Sequence, residues 1–330
     1  MIYHFLINPA AGRNNVTDAL MRKITRVCTA RALDYRIHIT TRPGDATAYT
    51  RAALSEAPRE EQRFYACGGD GTLCETVNGA PPFCRTASFG VIPTGTGNDF
   101  ERNFTGRENF LDIERQIDAT AASVDLIRYN DRYCLNMMNI GFDCNVVKKT
   151  GEIKRSPIVP AGLAYATGVA ITLCKKFGTK MHIELADGTV IHDTLLLTAV
   201  ANGGFCGGGF HAAPRASLCD GLLDLCAINR VSRVKFINLV GLYKAGTHLD
   251  SEKTKGIIRY YQTPRLRYTF DNPIDICVDG EIEMTDHIDI EVVPGALSFL
   301  IPNGSAFLSP AVAPDTEAAT EEAAAELPQA

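Results

Sequence analysis

Apolar and polar positions follow two different rhythms along this chain. Up to about residue 122, short apolar runs take turns with stretches whose apolar residues recur every three or four positions. Residues 3–7 (YHFLI), 35–39 (YRIHI), 63–67 (RFYAC) and 88–92 (SFGVI) read as strands. Between them, residues 14–33 place Val16, Leu20, Ile24 and Val27 on one helical face. Residues 44–57 form a second helix opened by Gly44 and Asp45, and residues 73–78 start a third. Strand and helix in turn predict a parallel sheet with helices on both faces. From about residue 123 short β-type runs dominate, at 132–140, 181–185, 189–201, 222–228, 266–270, 274–278, 288–293 and 297–301. Asp187-Gly188 and Asp279-Gly280 are hairpin dipeptides. Helices over about 160–177 and 232–245 interrupt these runs, the second with Ser232 as N-cap. The pattern predicts an α/β plus β protein. A Rossmann-like parallel-sheet domain spans 1–122 and an antiparallel β-sandwich domain spans 123–303. The extreme C-terminus of the fold is free to return to the first domain.

Composition changes this picture at one place, the end. The 330 residues carry a net charge of -5. Five of the acids (Asp315, Glu317, Glu321, Glu322, Glu326) lie in 310–330, where there is no basic residue, so the body is electrically balanced. A balanced body gives no case for binding nucleic acid. Residues 304–330 are expected to form a disordered acidic tail, because an Ala- and Pro-rich segment cannot bury enough apolar surface. Eleven scattered cysteines without a CxxC pair argue against a disulfide scaffold and for a reducing cytoplasm. The histidines form no ligand-type cluster, so zinc is not expected. The opening MIYHFLINP lacks the build of a signal peptide, and the longest weakly polar run, 161–174, is too short to span a bilayer.

The candidate chemistry lies where the predicted parallel strands end. The loops NPAAG (8–12), CGGDGT (67–72) and PTGTGNDF (93–100) all follow strands, the place where open α/β sheets bind ligands. Glycines let a ligand approach the backbone, and a helix N-terminus offers free N–H groups to an anion. Asp70 cannot serve an anion directly, but a divalent cation between carboxylate and phosphate gives it a role. Phosphate with Mg²⁺ points to a nucleotide. Taken alone, GGDGT also reads as a tight turn that Asp70 merely holds, and PTGTGNDF as a helix start capped by Asn98 or Asp99. Neither is a Walker A loop or a GxGxxG.

NPAAG, TTRPGDA (40–46), GGDGTLCETVNG (68–79) and PTGTGNDF together closely resemble the diacylglycerol kinase catalytic domain in its soluble bacterial lipid-kinase form, over about residues 1–303. GGDGT alone also occurs in NAD kinases; the combination is what points to lipid kinases. The resemblance implies that Asn8, Pro9, Gly12, Thr40, Gly68, Gly69, Asp70, Gly71, Thr72 and Thr96 hold ATP. It implies that Asp70 and Asp99 organise catalytic Mg²⁺. PRASLCDGLLD (214–224) resembles the family's structural cation loop, with Asp220 and the main-chain carbonyls of Ser217 and Leu222 as ligands; Cys219 stands where an acid is usual. VDGE (278–281) matches a late motif whose glutamate, here Glu281, is the general base. That makes Glu281, Asp70 and Asp99 the expected catalytic residues. Without the resemblance, VDGE is a solvated hairpin turn.

A weak carboxylate base suffices for this chemistry, because phosphoryl transfer has a loose transition state that needs positioning and charge neutralisation. The glycine-rich run 201–214 matches a loop the family places near the cleft; His211 within it has no evident partner. Lys148, Lys149, Lys154 and Arg155 are placed to meet anionic headgroups or to form a solvated loop. The expected activity is transfer of the ATP γ-phosphate to a lipid hydroxyl, diacylglycerol first, by a cytoplasmic enzyme that associates peripherally with the inner face of the membrane. ATP and Mg²⁺ are the expected cofactors, no transmembrane segment or nucleic acid is involved, and a homodimer is left open. The competing readings are an NAD-kinase-like small-molecule kinase and a non-enzymatic lipid-binding regulator.

Overall fold

The computed structural model describes residues 1–12, 15–142, 144 and 178–309. The helix expected over 160–177, the Lys148, Lys149, Lys154 and Arg155 cluster, and residues 310–330 of the expected tail lie outside the described residues. The start of that tail, 304–309, is ordered instead: the Thr105 N–H donates to the Ala306 carbonyl at 2.8 Å and the Leu308 N–H to the Asn103 carbonyl at 2.7 Å, so the chain returns to the first half before 310.

The first 120 residues build β1 (Ile2–Ile7), α1 (Thr17–Ala30), β2 (Asp34–Ile39), α2 (Asp45–Glu56), β3 (Gln62–Gly68), α3 (Asp70–Val77), β4 (Ala87–Pro93) and α4 (Ile113–Ile117). The four strands pair in parallel in the order β2-β1-β3-β4. β1 is buried along its whole length, and its alternate residues feed two different cores. Tyr3, Phe5 and Ile7 pack with Leu20, Ile24 and Val27 of α1. Leu6 packs on the other face with Ala46, Ala53, Leu73 and Val77 of α2 and α3. This two-sided burial is why the strand reads as a continuous apolar run. Val16, expected on the buried face of α1, instead precedes the helix and is exposed.

The rest is antiparallel: β5 (Thr120–Tyr129), β6 (Arg132–Cys134), β7 (Met137–Gly141), β8 (Thr179–Leu185), β9 (Val190–Ala201), β10 (Leu223–Asn229), β11 (Ile258–Thr263), β12 (Arg265–Val278) and β13 (Glu281–Ile301). Helix α5 (Arg233–Ala245) crosses between β10 and β11, with the Ser232 hydroxyl accepting from the Lys235 N–H as N-cap. Three expectations shift. The 132–140 run breaks at residues 135–136 into β6 and β7. The 266–270 and 274–278 runs are one strand with an irregularity between Thr269 and Ile274. The 288–293 and 297–301 runs belong to the 21-residue β13, where Pro294 and Gly295 make a bulge, not an end. β13 starts beside β12 and finishes between β5 and β4, with Phe299 opposite Phe89 in parallel. One strand therefore ties the antiparallel half to the parallel half.

Candidate active site

Because β1 to β4 run in parallel, their C-terminal ends share one edge of the sheet, and the glycine-rich loops meet there. The Thr94 and Gly95 N–H groups both donate to the Gly68 carbonyl, at 2.9 and 3.2 Å. The Asn8 Nδ2 donates to Thr72 Oγ1 at 3.0 Å. A Cβ added at Gly68 would lie 2.2 Å from Thr72 Oγ1, and one at Gly95 would lie 2.5 Å from the Gly69 Cα. Gly12, at φ +80°, passes so near the Thr94 carbonyl that a Cβ would sit 2.3 Å from it. These contacts, not turn flexibility alone, account for the glycines. Thr40 lies at the adjoining end of β2, its N–H on the Ile7 carbonyl. Glu75 of α3 accepts from the Gly44 N–H at 2.9 Å and ties in the 40–46 loop. Thr96 is exposed at the rim and Pro9 half-buried.

Asp70 opens α3, and its two oxygens accept from the Asp99 and Phe100 N–H groups, at 3.0 and 2.9 Å. It therefore does hold a turn, and the turn it holds belongs to the second glycine loop. Asp99 is buried, and its Oδ2 accepts from the Gly208 N–H at 2.8 Å. That N–H is delivered by Gly207, Gly208 and Gly209, all at positive φ, which a run of larger residues would not adopt. Asp99 Oδ1 lies 3.3 Å from Arg102 Nε without forming a hydrogen bond. Burial first, and then the charge of Asp70, push the Asp99 pKa up to about 6. Both carboxylates crowd Gly97. The donor set fits Mg²⁺, which binds through one or two carboxylates plus waters and phosphate oxygens and needs no cage of protein ligands. Among the described residues no group of three or more ligating side chains is gathered for a metal.

Glu281, the first residue of β13, reaches the same place from the antiparallel half. Its Oε1 lies 3.5 Å from where a Cβ of Gly71 would stand. The structure thus brings Asn8, Gly12, the 68–72 loop, Thr94, Asp99 and Glu281 together where the two halves meet. Ser217, Asp220 and Leu222 are held separately. There the Leu222 N–H donates to Asp220 Oδ1 at 3.0 Å, and the Gly221 N–H donates to Asp125 Oδ2 at 2.7 Å. Burial, and then the neighbouring Asp125, raise the Asp220 pKa. His211 stacks on Phe205, and burial lowers its pKa.

Sequence reasoning missed the groups that join the halves. Asn103 Nδ2 donates to Asn136 Oδ1, Asn103 Oδ1 accepts from the Gly204 N–H, and Asn136 Nδ2 donates to the Phe205 carbonyl. It also missed a largely apolar cavity beneath α5, lined by Phe142, Leu197, Phe210, Ile228, Phe236 and Leu239 among others. Phe210 closes the same loop that presents Gly208 to Asp99, through the Cys206–Phe210 bridge. None of these contacts has a local sequence motif.

Known proteins resemble this chain in sequence and in fold. A family model described as the diacylglycerol kinase catalytic domain matches residues 3–129. A second, described as the YegS C-terminal NAD kinase beta sandwich-like domain, matches residues 136–301. A diacylglycerol kinase of Bacillus subtilis (strain 168) is 29% identical over 279 residues, 84% of this chain and 88% of its own. A solved diacylglycerol kinase structure from Bacillus anthracis str. Sterne aligns with a TM-score of 0.65 at 21% identity, covering 91% of this chain and 97% of that one. An NAD kinase from Archaeoglobus fulgidus, solved with ATP, aligns over 92% and 94% of the two chains with a TM-score of 0.51 at 12% identity. The two solved structures are likenesses of fold.

Proposed function

The chain belongs to the diacylglycerol kinase catalytic-domain family of ATP-dependent lipid kinases, and from this we propose that it transfers the γ-phosphate of ATP to the free hydroxyl of diacylglycerol, yielding phosphatidic acid and ADP. In this reading residues 1–122 form a Rossmann-like nucleotide domain and 123–303 receive the lipid. The 8–12, 40, 68–72 and 96 positions line the triphosphate. The lipid oxygen bonds to the γ-phosphorus as the bond to ADP breaks, and the Glu281 carboxylate accepts the hydroxyl proton. Asp70 and Asp99 would hold Mg²⁺, which when bound neutralises charge on the transferring phosphate. Asp220 with the Ser217 and Leu222 carbonyls would hold a structural cation. The reaction would take place at the inner face of the membrane.

The observation that carries this reading is Glu281 standing over Gly71. A carboxylate from the antiparallel half stands over the turn that, in this reading, holds the phosphates. The apolar lining of the cavity beneath α5 favours a lipid acceptor over a soluble nucleotide. Val234 and Ile237, exposed on α5 above the cavity, suit contact with a lipid surface. No helix among the described residues is long and apolar enough to cross a membrane. The test is incubation with ATP, Mg²⁺ and fractionated lipids, with products identified by mass spectrometry. Phosphatidic acid is expected; a phosphorylated sphingoid base, undecaprenol or phosphatidylglycerol would move the substrate, and no lipid product would overturn the reading.

A further inference from the structure

We propose that Asp279 and Asn78 are positioning residues that hold Glu281 over the phosphate turn; this rests on the reading of Glu281 as the base. Glu281 Oε1 stands over Gly71, in the first turn of α3. Asn78 caps the other end of the same helix. Its Nδ2 donates to the Cys74 and Tyr133 carbonyls, each at 2.9 Å, and its Oδ1 accepts from the Tyr133 N–H at 3.0 Å. The segment that follows Tyr133 is then gripped by Asp279. The Asp279 carboxylate accepts from the N–H groups of Leu135, Asn136 and Met137 at 2.7, 3.0 and 3.0 Å, and from Cys134 Sγ at 3.2 Å. Asp279 and Gly280, at φ 45° and 91°, are the two turn residues between the paired Val278 and Glu281. A turn of this type needs positive φ and no side-chain partners. The four donors instead fix where the turn lies. The connection runs from the α3 C-terminus through Tyr133 and Asp279 to Glu281, and returns to the α3 N-terminus. The base and the phosphate turn are thereby held to one helix.

The test compares Asp279→Asn, Glu281→Gln and the double variant in steady-state lipid phosphorylation, with thermal unfolding in parallel. Asn tolerates the left-handed backbone at 279, so the change falls on the acceptor count. Asp279→Asn is expected to lower kcat by about tenfold to a hundredfold, the scale of a small displacement of a reacting group, with KM for ATP unchanged. The double variant is expected to be no slower than Glu281→Gln alone, because residues that act through one group are not additive. Should Asp279→Asn fail to fold, Asn78→Asp, which keeps the acceptor for Tyr133 and loses the donor, is expected to show the same pattern. A normal kcat in the positioning variant, or losses that multiply in the double variant, would overturn the positioning role alone. Glu281→Gln at the wild-type rate would overturn the base assignment and this role with it.

Discussion

Gly95→Ala offers a direct probe of how closely the two glycine loops must approach. The added methyl would lie 2.5 Å from the Gly69 Cα, 3.0 Å from the Gly69 nitrogen and 2.7 Å from Asn98 Oδ1. Ordinary carbon–carbon contact is about 3.5–4.0 Å, so the loops must part by roughly 1 Å. Two of the three opposing atoms are backbone and cannot rotate away. Overpacking of this kind costs about 1–3 kcal/mol, a fall of several degrees in Tm for a protein of this size. That loss leaves the protein folded at 25 °C if its stability is of the usual 5–15 kcal/mol or so. The same displacement, placed between the two loops proposed to hold the phosphates, is expected to lower kcat/KM for ATP by about a hundredfold. The assay is steady-state transfer at 25 °C beside a thermal melt. Activity that falls far more than stability supports the convergence of the loops on one ligand. A variant that loses several degrees of Tm but keeps kcat/KM for ATP would show that the close approach serves packing alone.

Gly241→Ala is the matched control: Gly241 sits in α5 with nothing within 4 Å of an added Cβ, so Tm is expected to rise, by up to about 1 kcal/mol of stability, with kcat unchanged. Asp70→Asn removes the charge and one of two acceptors for the Asp99 and Phe100 N–H groups; transfer at saturating Mg²⁺ is expected below a tenth of wild type, while the melt reports a loss of about 1 kcal/mol. His4 is buried between Phe64 and Tyr49, and burial, then Arg36, hold its pKa at about 4, against raising contributions from Gln62, Asp34 and Glu56. The unfolded chain therefore takes up this proton first as pH falls, and up to about 3 kcal/mol of stability is lost between pH 6.5 and 4. Urea unfolding at pH 7 and 4.5 should show His4→Phe losing less stability than wild type over that interval; equal losses would refute the assignment.

The parallel half was legible because each strand is buried on both faces and each helix carries its own periodicity, as in α1 with Leu20, Ile24 and Val27. Glu281 was singled out only through its motif, since nothing in VDGE itself tells a base from a turn. β11 was missed. It is an edge strand whose Arg259 and Gln262 find partners in Asn229 and Asp224 of β10, contacts that no local pattern encodes. The same holds for the Asp279 grip on residues 134–137 and for the cavity under α5: both are made by residues far apart in the chain. Pro294 and Gly295 read as a break because their usual role is to end strands, yet β13 continues on the far side, paired with β5 and reaching β4.

Glu281 and the glycine loops are proposed to form one site for phosphorylating a lipid. This is tested most directly by following γ-phosphate transfer from ATP to diacylglycerol and, in parallel, to NAD, for wild type and Glu281→Gln, with ATP binding measured on both. Wild type is expected to phosphorylate diacylglycerol and not NAD. Glu281→Gln is expected to be slower by roughly a hundredfold or more, the scale of a positioned acid–base group, while binding ATP normally. Phosphorylation of NAD in place of lipid, or a Glu281→Gln variant that turns over diacylglycerol at the wild-type rate, would contradict the claim.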